Sequence, residues 1–153
     1  MYWYRLAAQA GLDWGMYNYA TALALGNGVD ENRADALDWF RRAAALGHAK
    51  SINLIGGFYE DGWVVPVDTD AAFDHYRRAA VAGDFRGQFN YARLLGERGH
   101  IDEALEWLAH VPASATPAFV AKMVAHLASS PIDAFRAAAL QLRPHTPAME
   151  SAT

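Results

Sequence analysis

Six histidines and seventeen carboxylates are the residues of this chain that could bind a metal or move a proton. Their spacing argues against both. His48, His75, His100, His110, His126 and His145 form no His-Glu-x-x-His pair, the arrangement that puts two imidazoles on one helical face for zinc. Asp70, Asp74 and His75 are close in sequence, but carboxylates at i and i+4 of an amphipathic helix read as a solvated stripe. There is no Gly-x-Ser-x-Gly elbow, no Ser-x-x-Lys and no glycine-rich lysine loop for phosphates. The chain has no cysteine, which removes thiolate metal sites, cysteine nucleophiles and disulfides together. The expectation is therefore no enzyme, no catalytic residue, no metal and no cofactor, and function is sought on a surface.

Composition agrees. The 153 residues are 53% hydrophobic and 20% charged, enough apolar material for a continuous core. The net charge of −4 offers no basic field for nucleic acid or an anionic membrane, so neither is expected as a partner. No run of apolar residues is long enough to span a bilayer, and the N-terminal segment lacks the pattern of a signal peptide; a cytoplasmic location is the default.

The elements that carry these residues are set by a phrase written three times at a spacing of 36 residues. WYRLAAQAG over 3–11 returns as WFRRAAALG over 39–47 and as HYRRAAVAG over 75–83. A fixed period in this range marks stacked repeats, because a single unit cannot bury its apolar face alone. Gly11, Gly47 and Gly83 read as helix stops. Between them the spacing predicts first helices over 13–25, 49–61 and 85–98, after an opening helix over 2–10. Ala20, Gly56 and Ala92 stand 36 apart in their middles, where a small side chain lets a neighbouring helix come close. Gly26-Asn-Gly-Val and Gly62-Trp-Val-Val then lead to Asn32 and Asp68, which can cap the next helices. The third unit has a shorter loop around Gly99. Thr116-Pro117 and Ser130-Pro131 predict capped helices over 117–128 and 131–142, the last lining one face with Ile132, Phe135, Ala139 and Leu142 and the other with Asp133, Arg136, Gln141 and Arg143, as a terminal cap requires. The organisation is a half-repeat over 1–11, repeats over 12–47, 48–83 and 84–111, a divergent helix pair over 117–142, all in one solenoid over 1–143, and a flexible tail over 144–153.

The order small-x-x-Gly, Gly-x-Gly-Val, Asp or Asn, then Ala-x-x-Trp-[Phe/Tyr] and Ala-Ala-x-x-Gly resembles the Sel-one-like repeat (SLR), a relative of the tetratricopeptide repeat. The resemblance is strongest over 3–83, while 84–111 is more similar to a tetratricopeptide unit. Asp35 where the family often has Lys, His75 in place of Trp, and the doubled glycine at Gly57 depart from the pattern. The resemblance implies an all-α fold, a right-handed α-solenoid of antiparallel helix pairs with about nine helices. It also implies an adaptor or scaffold that grips a partner protein or peptide on its concave face.

By analogy with the tetratricopeptide fold, that wall would be built by the first helix of each pair. It would present Trp14, Tyr17 and Thr21, then Lys50, Asn53, Gly57, Glu60 and Asp61, then Arg86, Phe89, Arg93 and Glu97. Trp14 and Tyr17 can equally be core residues. Glu60 and Asp61 face the partial negative end of their own helix, so Arg86, Arg93 or a basic feature of a partner should offset them. The doublets Arg41-Arg42 and Arg77-Arg78 read as a solvated face paired with Asp38 and Asp74. The aromatic start, Tyr2, Trp3 and Tyr4, is not a polar cap and suggests self-association into a homo-oligomer through the N-terminal helix. Two further readings of the same pattern are an immunity or chaperone-like protein that sequesters a toxin or effector, and a self-assembling structural element.

Overall fold

Thirteen-residue helices about 20 Å long, closed by glycine and reopened by a capping side chain, build the first half of this chain. The computed structural model describes residues 1–143; the tail expected over 144–153 lies outside the described residues. Its helices are α1 (Tyr2–Gln9), α2 (Asp13–Leu25), α3 (Arg33–Ala45), α4 (Ala49–Asp61), α5 (Thr69–Val81), α6 (Phe85–Glu97), α7 (Ile101–His110), α8 (Pro117–Ala128) and α9 (Asp133–Gln141), with a short 3-10 turn at Val111–Ala113. Among the described residues there is no β-strand. Two compact units divide the chain inside α6, one over Met1–Gly87 and the other from Gln88 onward.

In the first unit the expected punctuation is present. Gly26 and Gly62 end α2 and α4 with φ of 71° and 72°, the left-handed region that suits a residue without Cβ. The Asn32 and Asp68 side chains accept the backbone N–H of Asp35 and Ala71, each at 3.0 Å, at the starts of α3 and α5. The core joins Ala20 and Leu23 of α2, Ala36, Leu37 and Phe40 of α3, and Ile55 and Phe58 of α4. The Phe40 ring sits 6.1 Å from Tyr17 and 6.0 Å from Phe58 in tilted and edge-on contacts.

Gly56 serves the close approach expected of the 20/56/92 column: a Cβ there would stand 2.6 Å from the buried Tyr76 ring. A second small column at 15, 51 and 87 does the same at the other end of the helices. A Cβ on Gly15 would stand 2.5 Å from Ala7, one on Gly87 would stand 2.6 Å from Ala79, and Ser51 between them is fully buried. The repeated alanines of the 36-residue phrase are thus the surface against which the next helix is laid.

In the second unit the rest of α6 packs with α7, α8 and α9. Tyr91 meets Trp107 edge-on at 5.7 Å, and Gly96 leaves room for Phe135, whose ring would be 2.4 Å from a Cβ. Phe135 and Ala139 are buried, Ile132 and Leu142 only partly buried at the two ends of the last helix, and Asp133, Arg136, Gln141 and Arg143 exposed. Its start differs from expectation. Thr116 caps α8 as predicted, accepting from Phe119 N–H at 3.2 Å, but α9 opens at Asp133 rather than 131. The Ser130 hydroxyl accepts from Ile132 N–H, only two residues on, and the Ser130 carbonyl is held by the Arg136 guanidinium at 2.7 Å. Those bonds make a turn around Pro131 in place of a cap.

Candidate protein-binding faces

The predicted wall residues fall into two groups, one on each unit. On the first unit, α2 carries Trp14, Tyr17 and Thr21 and α4 carries Lys50, Gly57, Glu60 and Asp61; of these, Tyr17 and Lys50 meet across the two helices. Trp14 is half exposed, whereas Tyr17 is partly buried and touches both the core and the surface. Its ring packs on Phe40, lies 5.0 Å from His48, and has the Lys50 ammonium 5.9 Å above it. The Thr21 hydroxyl donates to the Tyr17 carbonyl at 2.8 Å. Asn53 is not a surface residue: at 6% exposure it is buried. The reason is that α4 packs against both α3 and α5, so Ser51, Ile52, Asn53, Ile55, Gly56 and Phe58 together take most of its circumference inside.

Glu60 is partly buried and accepts the Tyr76 hydroxyl at 2.8 Å, a partner that reaches it because Gly56 lets the ring lie against the α4 backbone. That bond helps hold a carboxylate at the unfavourable end of its helix. Asp61, next to the terminal Gly62, is exposed. Arg86 is exposed at the start of α6, with its guanidinium 4.6 Å from the Phe85 ring centre.

Between these helix starts lies a titratable cluster that sequence reasoning missed. His48 caps α4, its Nδ1 within 2.8 Å of the Ser51 hydroxyl and accepting from the Ser51 N–H at 3.4 Å. Burial holds the imidazole pKa below its ordinary value of 6.5; the charges of Asp13 and Asp84 act against that shift and Lys50 with it. Asp84 occupies the equivalent position before α6 and accepts from Gly87 N–H at 2.9 Å. It is nearly fully buried, which pushes its carboxyl pKa up in spite of that hydrogen bond and the nearby Arg86 and Lys50. A histidine, a serine and an aspartate so placed invite a catalytic reading, but Ser51 has no exposed surface and its hydroxyl is spent on the cap.

On the second unit, α6 presents Phe89, Arg93 and Glu97. Phe89 meets Phe119 at 6.0 Å and His126 at 5.4 Å, both edge-on. Arg93 reaches Asn90 Oδ1 at 3.4 Å and Glu97 Oε1 at 3.8 Å. Arg93 and Glu97, with His126, Ser129, Ile132 and Phe135, line a pocket of about 290 Å³.

The remaining candidates separate. Tyr2, Trp3 and Tyr4 are exposed on α1, with the Tyr2 and Trp3 rings edge-on at 5.4 Å. His75 is partly buried, its Nδ1 2.8 Å from the Ala71 carbonyl and its ring 5.4 Å from Tyr59. Asp74 pairs with Arg77 at 2.7 Å, a hydrogen bond that lowers the carboxyl pKa, as expected of a solvated face. Arg42 instead lies over the Trp39 ring at 4.5 Å. Among the described residues no group of three or more His, Asp or Glu is placed to hold a metal ion, and no helix is long and apolar enough to cross a membrane.

Helix hairpins stacked through small-residue columns define an α-solenoid of the SLR type. The Sel1 repeat family matches residues 1–12, 15–48 and 49–84, more than half of the chain, and the chain belongs to that family. Sel1 repeats generally mediate protein–protein interactions, and the family is typically non-enzymatic. The chain is 33% identical over 73 residues to chitin synthase regulatory factor 4 of Schizosaccharomyces pombe, a match that covers 47% of this chain and 12% of that protein. Its fold is similar to the crystal structure of a Sel1 repeat protein from Oxalobacter formigenes, with a TM-score of 0.65 at 27% identity over 74% of this chain and 89% of the other. It is also similar to a protective antigen of uropathogenic Escherichia coli that displays an SLR fold, with a TM-score of 0.69 over 92% of this chain and 33% of that one. At 21% identity that second likeness is one of fold.

Proposed function

We propose that this chain is an adaptor that holds another protein against the solvent side of α2 and α4, the face carrying Trp14, Tyr17, Lys50 and Gly57. The observation that carries the reading is Gly57. A glycine inside a helix costs about 1 kcal/mol relative to alanine. At Gly56 that cost is offset by the packing of Tyr76, but a Cβ on Gly57 would meet nothing closer than the Tyr76 hydroxyl at 3.8 Å. Internal packing does not require a glycine at 57, whereas close approach of a partner would. The same two helices carry an exposed tryptophan, a partly buried tyrosine and a lysine, the first two among the types that dominate binding energy. A relative that is a regulatory factor for an enzyme fits a protein that acts by contact rather than by turnover.

The test is capture from the native extract, comparing the wild-type chain with Lys50→Glu and Gly57→Arg variants shown to be folded by circular dichroism. A protein retained by the wild type and bound at least about tenfold more weakly by both variants supports the reading. Equal retention of the same protein by all three refutes it.

A further inference from the structure

The pocket of the second unit combines three kinds of wall. It lies between the last turns of α6, the end of α8 and the turn that leads into α9. Gly96 opens it: with no side chain there, Phe135 and Ile132 lie directly against the α6 backbone, and a Cβ would stand 3.1 Å from Ile132 Cδ1. Those two side chains, with Pro131, form the apolar wall. At about 290 Å³ the pocket is at the small end for a ligand site, with room for one side chain and a polar head group rather than for a helix.

The second wall is a cation. Arg93 is sunk into the pocket, its side chain 20% exposed, and Asn90 Oδ1 steadies its Nη2 at 3.4 Å. The third is an anion. Glu97, one turn on and 59% exposed, stands 3.8 Å from Arg93 Nη1, too long for a tight ion pair. It is also the last residue of α6, where the partial negative charge of the helix end disfavours a carboxylate and favours a positive group beside it. The other titratable side chain on the wall is His126, held edge-on to Phe89 at 5.4 Å. The carbonyls at the end of α8 are already engaged. Ser129 gives its hydroxyl, at 3.1 Å, and its N–H, at 3.3 Å, to the His126 carbonyl, and Ser130 N–H bonds the Leu127 carbonyl at 3.1 Å. The Ser130 carbonyl is held by Arg136, which is itself paired with Asp133.

We propose that this pocket binds a free α-amino acid with a branched aliphatic side chain. A guanidinium and a carboxylate less than 4 Å apart match the carboxylate and ammonium that an α-amino acid carries on one carbon, and the apolar wall takes its side chain. The carboxylate sits on the fork of Arg93, the ammonium between Glu97 and the end of α6, and the side chain on Ile132 and Phe135. The site lies wholly within the second unit, so it stands or falls apart from the α2–α4 face.

The test is titration of the nitrogen-15-labelled full chain with L-leucine, against 4-methylpentanoate, which lacks the ammonium, 3-methylbutylamine, which lacks the carboxylate, and glycine. The expected result is amide shifts from leucine confined to 93–97 and 126–135, with each of the three analogues at least about tenfold weaker. Arg93→Gln should weaken leucine about tenfold. Glu97→Gln, at an exposed position, should weaken leucine about fivefold while 4-methylpentanoate binds no more weakly than before, a split that loss of folding does not produce. The proposal is overturned if leucine shifts none of these amides, if 4-methylpentanoate or 3-methylbutylamine binds as tightly as leucine, or if Glu97→Gln leaves leucine unchanged. Tighter binding of glycyl-leucine than of leucine would also overturn it, by making the occupant the end of a peptide chain.

Discussion

Two adjacent glycines in α4 should respond in opposite directions to the same substitution. Gly56→Ala gains about 1 kcal/mol of helix propensity. It also drives a methyl to within 2.6 Å of Tyr76 Cε1 and 2.7 Å of Cδ1, and that ring is buried and tied to Glu60 by its hydroxyl. Overpacking of this kind costs about 1–3 kcal/mol, and displacement of the ring would also strain a hydrogen bond worth about 1 kcal/mol. The net expectation is a loss of about 1–3 kcal/mol. Gly57→Ala has the same propensity gain without the collision, since its nearest neighbour is 3.8 Å away, so stability should rise by about 0.5–1 kcal/mol. In urea denaturation followed by circular dichroism the two variants should bracket the wild type, with melting temperatures separated by several degrees. If Gly56→Ala is as stable as Gly57→Ala, the close packing of Tyr76 on α4 is wrong, and with it the argument that only Gly57 is dispensable to the fold.

Three further outcomes follow from named contacts. Val64→Gly should raise stability by about 0.5–1 kcal/mol, the left-handed strain removed less the extra entropy of the unfolded glycine; a decrease in thermal stability would contradict the strain. Asp68→Ala removes the side chain that caps α5 and should lower stability by about 1 kcal/mol in urea titration, with Asp68→Asn close to wild type; equal loss in both would mean the cap is not what Asp68 supplies. His48 binds its proton less readily in the folded chain than in the unfolded one, so its contribution is complete above pH 6.5 and is lost as the pH falls through the depressed folded value. Stability measured from about pH 7 to about pH 5 should therefore fall more steeply for the wild type than for His48→Asn, and identical slopes would remove His48 as the cause.

The repeat period carried most of the first unit. Once WYRLAAQAG, WFRRAAALG and HYRRAAVAG are aligned, the glycine stops, the Asn32 and Asp68 caps and the 20/56/92 column follow from local rules that tertiary packing does not override. The 15/51/87 column escaped because Gly15, Ser51 and Gly87 share only smallness, and their purpose depends on Ala7 and Ala79 of a neighbouring helix. Asn53 fell on the wall by counting from the small central residue Gly56, yet a helix packed on two flanks has little circumference left to expose. Ser130-Pro131 has the composition of a cap, but the Arg136 side chain, six residues on, claims the Ser130 carbonyl. The Tyr76–Glu60 bond joins residues 16 apart on different helices, beyond any local pattern. Val64 was legible in principle, as the residue standing where the previous repeat has Gly28; its positive φ was not.

The aromatic side chains also provide the most direct test of how this chain works, because each candidate surface carries its own: Trp14 and Tyr17 on the α2–α4 flank, and Tyr2 and Trp3 on α1. Hydroxyl-radical footprinting of the captured complex, with residue-level mass spectrometry against the free chain, should show Trp14 and Tyr17 protected while Tyr2 and Trp3 react as before. Protection of Tyr2 and Trp3 with Trp14 and Tyr17 unchanged would contradict the account and move the working surface to the N-terminal helix.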